Sequence, residues 1–120
     1  KRPLMNLYMA QIDLKDGSKA LAFAHAVDQW MSYLKEKGAI KGWQVMRRKL
    51  DLASDLNRDF LIQVEVEDLA QLDRAFRTVG ALDDEAERLY AAVNQMVESK
   101  SFGLYRPFPD PERAERMALF

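Results

Sequence analysis

Asp59-Phe60-Leu61-Ile62-Gln63-Val64-Glu65-Val66-Glu67 is the stretch from which the fold is read. Successive side chains of an extended strand point to opposite faces. Phe60, Ile62, Val64 and Val66 make one wholly apolar set, while Leu61, Gln63, Glu65 and Glu67 make a mixed one. The alternation predicts a strand with one face in a core and the other half-polar. Residues 51–58 (DLASDLNR) before it are rich in Asp, Asn and Ser, which is turn chemistry. Residues 40–50 (IKGWQVMRRKL) alternate as well, with Trp43 and Val45 on one side and Gln44, Met46, Arg48 and Leu50 on the other. The two strands therefore read as a hairpin.

The same two periods organise the rest of the chain. Residues 5–14 (MNLYMAQIDL) predict a first strand, with Tyr8, Ala10, Ile12 and Leu14 on one face and Leu7, Met9 and Gln11 on the other. Residues 18–37 follow a helical period, since Ala20, Phe23, Ala24, Val27, Trp30, Met31 and Leu34 fall in one stripe. Gly38 occupies the expected left-handed position after that helix. A second helical region comes in two pieces. Leu69, Leu72, Phe76 and Val79 line the first, which stops near Gly80; Ala86, Leu89, Tyr90, Val93, Met96 and Val97 line the next. Residues 101–106 (SFGLYR) predict a short fourth strand. Pro107, Pro109 and Pro111 then impose an extended exit, with Asp110-Pro111 opening a terminal helical turn.

The order β-α-β-β-α-β is that of a ferredoxin-like α+β domain: a four-stranded antiparallel sheet with its helices on one face. One such domain is expected over residues 1–120, with a core at 5–106 and the proline-rich exit and helical turn at 107–120. Met5 reads as a natural start. Helices can cover only one side of the sheet, and the other carries Leu7, Met9, Met46 and Leu61. A bare apolar face of that size is unusual for a monomer. The expected partner is a second copy, making a homodimer through the sheet faces.

Composition narrows the function classes. Eighteen basic and nineteen acidic residues give a net charge of −1, which supplies no bulk field for nucleic acid or an anionic membrane. The absence of cysteine removes disulfides, thiolate zinc sites and cysteine nucleophiles. No run approaches the ~20 apolar residues of a membrane-spanning helix, and Lys1-Arg2-Pro3-Leu4 lacks the apolar segment of a signal peptide. A cytoplasmic location is expected. No cofactor motif is present, and no cofactor is expected.

Several segments carry a family resemblance: Met5-Asn6-Leu7-Tyr8, Asp13-Leu14-Lys15-Asp16, Arg47-Arg48-Lys49-Leu50 and Asp68 to Phe76. The most distinctive is the tail Gly103-Leu104-Tyr105-Arg106-Pro107-Phe108-Pro109-Asp110-Pro111-Glu112-Arg113. In these the chain resembles an uncharacterised bacterial family of the dimeric α+β barrel group, in which two ferredoxin-like sheets pack face to face. That group includes cofactor-free monooxygenases, haem-degrading enzymes, isomerases, stress-responsive proteins and many orphans. The resemblance implies fold and dimer and transfers no activity.

The chemistry-bearing residues converge on the sheet face away from the helices. Gln11, Gln44, Arg48, Gln63, Glu65 and Tyr105 are expected there among Leu7, Met9, Met46 and Leu61. An apolar lining with a few polar groups is the composition of a small-molecule site. In that reading Arg48 anchors an anion and Glu65 is the base. Gln63, Gln44, Gln11 and Tyr105 orient a small apolar or aromatic acid, and a monooxygenase- or isomerase-like reaction without cofactor is within reach. The alternative is a non-catalytic dimeric module with a packed interior, in which Arg48 and Glu65 form cross-strand ion pairs that set the dimer register. The hairpin register, which pattern alone leaves open, decides which residues meet.

Other features have plainer explanations. His25 lies opposite the helical stripe and has no companion ligands, so a solvated or dimer-rim histidine is expected. No nucleophile-elbow sequence supports a Ser-His-Asp arrangement built on it. In a strand Arg48 points away from Arg47 and Lys49, so no concentrated basic patch and no nucleic-acid binding are expected. Asp83, Asp84, Glu85 and Glu87 suit a helix N-terminus rather than a metal site. Glu112 to Arg116 reads as a solvated turn, with Met117, Leu119 and Phe120 clamping the partner subunit.

Overall fold

The computed structural model describes residues 5–50, 52, 57–81 and 83–109. Four strands, β1 (Asn6–Leu14), β2 (Gly42–Arg47), β3 (Phe60–Val66) and β4 (Val97–Tyr105), alternate with α1 (Ala20–Glu36), α2 (Leu69–Ala81) and α3 (Asp84–Asn94). The strands form one antiparallel sheet in the order β2-β3-β1-β4. This is the ferredoxin-like arrangement expected from the β-α-β-β-α-β order. The expectations for residues 1–4, for much of the 51–58 turn, and for the terminal turn with Met117, Leu119 and Phe120 lie outside the described residues.

Local chemistry sets the element ends. The Asp16 carboxylate accepts from the Ser18 N–H at 3.0 Å and the Ser18 hydroxyl at 2.7 Å, opening a short 3-10 turn that leads into α1. At the other end of α1 the Ala39 N–H bonds to Leu34 C=O at 2.9 Å and the Gly38 N–H to Lys35 C=O at 3.0 Å. Gly38 has φ +73°, so this is a Schellman closure in the left-handed region that glycine enters without cost. Asp68 caps α2 through the Gln71 N–H at 2.8 Å, and buried Gln71 reaches back to the Glu67 N–H and across to Gly38 C=O. One buried amide thus ties the end of α1 to the start of α2, with donor and acceptor both matched.

The core lies between sheet and helices. Phe60, Ile62, Val64 and Val66 are all buried, as the alternation predicted, together with Ala10 and Ile12 of β1. They meet Phe23, Val27, Trp30, Met31 and Leu34 of α1 and Leu72, Ala75, Ala86 and Leu89 of α2 and α3. Ala75 takes the place expected for Phe76. Leu69 and Phe76 are exposed, with Phe76 turned edge-on to Tyr8.

β4 departs furthest from expectation. It begins at Val97, not residue 101, so Val97 leaves the helical stripe and joins the sheet. Ser99, Ser101, Gly103 and Tyr105 alternate with Glu98, Lys100, Phe102 and Leu104, a period of two that continues a helix-like spacing only at its first residue. β2 is also shorter than expected and stops at Arg47.

Tyr33 and Asp83 join α1 to α3. The Tyr33 hydroxyl donates to the Asp83 carboxylate at 2.7 Å, and the same carboxylate caps α3 by accepting from the Ala86 N–H at 2.7 Å. The Asp83 carboxylate raises the Tyr33 pKa to about 12, and the Ala86 N–H with the Tyr33 hydroxyl lowers that of Asp83. The folded chain therefore keeps the tyrosine proton after an unfolded tyrosine (pKa ~10) has lost it. This contribution is whole below pH ~10 and disappears as pH rises towards the folded value. The Asp83 contribution holds above the ordinary carboxylate range and is lost as pH falls through its lowered value. Chemical denaturation of wild type and Tyr33→Phe from pH 7 to 12 should show the wild-type advantage shrinking above pH 10. A gap independent of pH would mean that the hydrogen bond contributes nothing.

Candidate ligand cleft on the open sheet face

Strand pairing turns the open face into a grid. Gly42, Glu65, Leu7 and Tyr105 form one row, and Gln44, Gln63, Met9 and Gly103 the next. Met46, Leu61, Gln11 and Ser101 form the third, and the fourth continues with Asp13 opposite Ser99. Leu7, Met9, Met46 and Leu61 are half-buried and floor the middle.

The fourth row is organised by Arg58. Its backbone N–H donates to Gln11 Oε1 at 3.1 Å. Its guanidinium donates to Ser99 Oγ at 2.7 Å, to Asp13 Oδ2 at 3.3 Å and to Ser101 Oγ at 3.4 Å. The Asp59 N–H donates to the other Asp13 oxygen at 2.9 Å. Arg58 thus reaches from just before β3 across β1 to β4. Its anchors are open-face residues, although its place in the alternation is that of the core-facing set. The Asp59 N–H foremost, with Arg58 and Ser99, holds the Asp13 carboxyl below the usual carboxylate range.

Beside this knot lies a cleft of about 410 Å³. Met9, Met46, Leu52 and Leu61 give it apolar walls, while Gln11, Asn57, Arg47, Arg48, Arg58 and Asp59 edge it. Arg47 pairs with Asp59 at 3.2 Å and Arg58 with Asp13 at 3.3 Å. The polar edge thus carries three guanidinium groups, two of them paired with carboxylates. The volume is within the roughly 300–1,000 Å³ typical of small-molecule sites.

The expected site residues divide between the two ends of the face. Arg48 and Gln11 both edge the cleft. Gln44 pairs with Gln63 in the second row. Glu65 and Tyr105 belong to the first row, on either side of Leu7. Glu65 folds over Gly42, where an added Cβ would come within 2.8 Å of its Oε1. Tyr105 lies back over Gly103, where a Cβ would be 3.1 Å from its ring.

This register corrects the expected Arg48–Glu65 pair within one chain. The Arg48 N–H bonds to Asp59 C=O at 2.7 Å, and Asp59 precedes Glu65 by six positions along the strand direction. At ~3.3 Å per residue the two lie about 20 Å apart. The basic run needs a second correction. Because β2 stops at Arg47, the alternation ends there, and Arg47, Arg48 and Lys49 line a common depression with Asp59. Arg47 itself stacks over the Phe60 ring at 5.1 Å.

Arg58, Asp13, Ser99 and Ser101 are site residues that the sequence pattern did not single out. The alternation of small polar residues at 99, 101 and 103 was the available signal for β4. Nothing periodic marks a loop arginine. His25 is exposed, as expected, and the described residues contain no group of three or more His, Asp and Glu able to hold a metal. Among the described residues no helix is long and apolar enough to cross a membrane.

A family described as "Family of unknown function (DUF6614)" matches residues 5–120. No curated protein sequence matches the chain. Among solved structures, the fold is similar to a mutant form of SnoaB, a cofactor-independent oxygenase from Streptomyces nogalater. That likeness has a TM-score of 0.61 at 9% identity, over 88% of this chain and 98% of that one. A dimeric ferredoxin-like protein of unknown function from Jannaschia sp. CCS1 gives 0.62 at 9% identity, over 86% and 99% of the two chains. A dabb family protein with a ferredoxin-like fold from Mesorhizobium loti MAFF303099 gives 0.62 at 16%, over 88% and 98%. At such identities the likeness shows the fold alone.

Proposed function

Since the chain belongs to this family of unknown function (DUF6614), we propose from its own geometry that it binds a small apolar or aromatic acid on the open sheet face, as a homodimer. The carrying observation is the cleft beside Arg58, with its thioether and aliphatic floor and guanidinium edge. Such a floor takes a hydrocarbon or aromatic body, and such an edge takes a carboxylate. Arg48 is the proposed anion anchor, and the Gln11 amide an orienting donor. The second-row glutamines, Gln44 and Gln63, extend the polar lining for a longer ligand. The dimeric relative and the cofactor-independent oxygenase of the same fold support a dimer and a small-molecule cleft. A monooxygenase- or isomerase-like reaction without cofactor needs a base at the bound acid, and Glu65 is the residue proposed for it.

The test is calorimetry with 2-naphthoate against its neutral carboxamide. The carboxylate should bind, the amide should bind at least tenfold more weakly, and Arg48→Gln should erase the difference. Tenfold corresponds to ~1.4 kcal/mol, which is within the range of one charge-assisted hydrogen bond. Equal binding of the two probes would rule out an anion anchor. A second reading, a non-catalytic module with a packed interior, draws on the Arg58 knot, which already occupies Asp13, Ser99 and the Gln11 carbonyl. That reading expects a dimer that binds neither probe.

A further inference from the structure

Gln11 meets the cleft with a carboxamide whose orientation the chain itself fixes. The Arg58 backbone N–H donates to Gln11 Oε1 at 3.1 Å, and a backbone N–H can only donate. The amide oxygen is therefore the atom held at Arg58, and Nε2 with its two hydrogens is the polar atom that remains. Nε2 has no hydrogen-bond partner among the described residues, while half-buried Gln11 lines the cleft next to Leu61. The nearby carboxylates are committed within the chain. Asp13 accepts from the Asp59 N–H at 2.9 Å and from Arg58 at 3.3 Å, and Asp59 accepts from Arg47 at 3.2 Å. We propose that Gln11 sets the ligand specificity of the cleft, its Nε2 donating to a carbonyl oxygen that the ligand carries in addition to its carboxylate. The substrate class is then an aryl acid bearing an oxo group at the far end of its ring system. This rests on the cleft reading above, in which the carboxylate is taken at the Arg48 end.

The peptide that holds Gln11 is itself held from both sides. The Arg58 guanidinium donates to Ser99 Oγ at 2.7 Å and to Asp13, and the Asp59 N–H donates to the same Asp13 carboxylate. A donor fixed before the ligand arrives loses little freedom on binding. Register supplies the geometry. Gln11 belongs to β1 and Arg48 follows β2, with β3 between them, so their strands are ~10 Å apart at two strand spacings. Leu61 of β3 lies between Gln11 and Met46 in the row. An aromatic body resting on Leu61 therefore directs one end towards Arg48 and the other towards Gln11. An oxygen at the Gln11 end accepts from Nε2. An apolar group there strips water from Nε2 and leaves its hydrogens unmatched, and an N–H group sets donor against donor.

The test is calorimetry with 6-acetyl-2-naphthoate and 6-isopropenyl-2-naphthoate, which share a shape and differ in C=O against C=CH2. Wild type should bind the ketone about fivefold more tightly or better, the worth of one neutral hydrogen bond. Gln11→Glu retains an oxygen for the Arg58 N–H, so the contact that fixes the side chain is kept. It places a second oxygen where Nε2 was, and the preference should reverse. In 15N spectra the Gln11 side-chain amide, identified by its loss in Gln11→Glu, should shift with the ketone and far less with the alkene. Equal binding of the two probes by wild type would overturn the proposal while leaving the cleft in place. A ketone preference that survives in Gln11→Glu would overturn it as well, since another group would then be reading the oxygen. A protein that binds neither probe nor 2-naphthoate itself would remove the cleft reading, and this inference with it.

Discussion

Leu61→Arg is expected to turn the protein into a monomer that keeps its helical and sheet content. Leu61 lies in the third row of the open face, between Met46 and Gln11, on a central strand of the sheet. In the proposed dimer it is near the middle of the seam, where a guanidinium finds apolar neighbours and loses its water. The effective penalty for an unpaired charge there is on the order of 3 kcal/mol per copy after relaxation. Because ~1.4 kcal/mol is tenfold in affinity, two copies weaken the dimer by about ten-thousandfold. Light scattering across a dilution series reads the change, with circular dichroism as the control for folding. A dimer of unaltered affinity would mean that the sheet face is not the interface.

Phe23→Ala should produce the largest loss of stability from a single side chain. Phe23 is fully buried (0% exposed), and its ring meets that of Phe60 with centroids 5.1 Å apart. It is one of the contacts through which α1 closes on β3. Removing a buried phenyl group loses its transfer energy and leaves a cavity that the sheet cannot collapse to fill, at a cost of about 3–5 kcal/mol. For a domain with only ~5–15 kcal/mol of total stability, this approaches unfolding at physiological temperature. Urea denaturation measures it. A loss below ~1 kcal/mol, far under the cavity cost, would show that α1 repacks freely, contrary to the packing of Phe23, Val27 and Trp30 against the sheet.

The fold was legible because its elements carry long periods. The β3 alternation, the α1 stripe, the Gly38 closure and the break between α2 and α3 all follow from side-chain spacing and backbone preference within one segment. The errors fell at element ends. Val97 fits the α3 stripe and breaks the β4 alternation, and only its pairing with Leu14, across a shift of register after Asp13, makes it part of the strand. β2 stops at Arg47 because pairing with β3 stops there, opposite Phe60, and no residue type in Arg48-Lys49-Leu50 announces it.

The candidate site was legible only as a set of residues on one face. Alternation by itself placed Gln11, Gln44, Gln63, Glu65 and Tyr105 together on the open side, because facing is a local property of an extended chain. Tertiary pairing decided their neighbours. It set Gly42 and not Arg48 across from Glu65, and Gly103 across from Met9. It also drew Arg58 out of the β2–β3 connection onto Asp13 and Ser99, residues 45 and 41 positions away in sequence. Register depends on two strands meeting, and a loop side chain on all the strands it crosses. Such contacts join parts of the chain whose spacing carries no shared period, so only the folded sheet could bring the arginines to one end and the glutamate to the other.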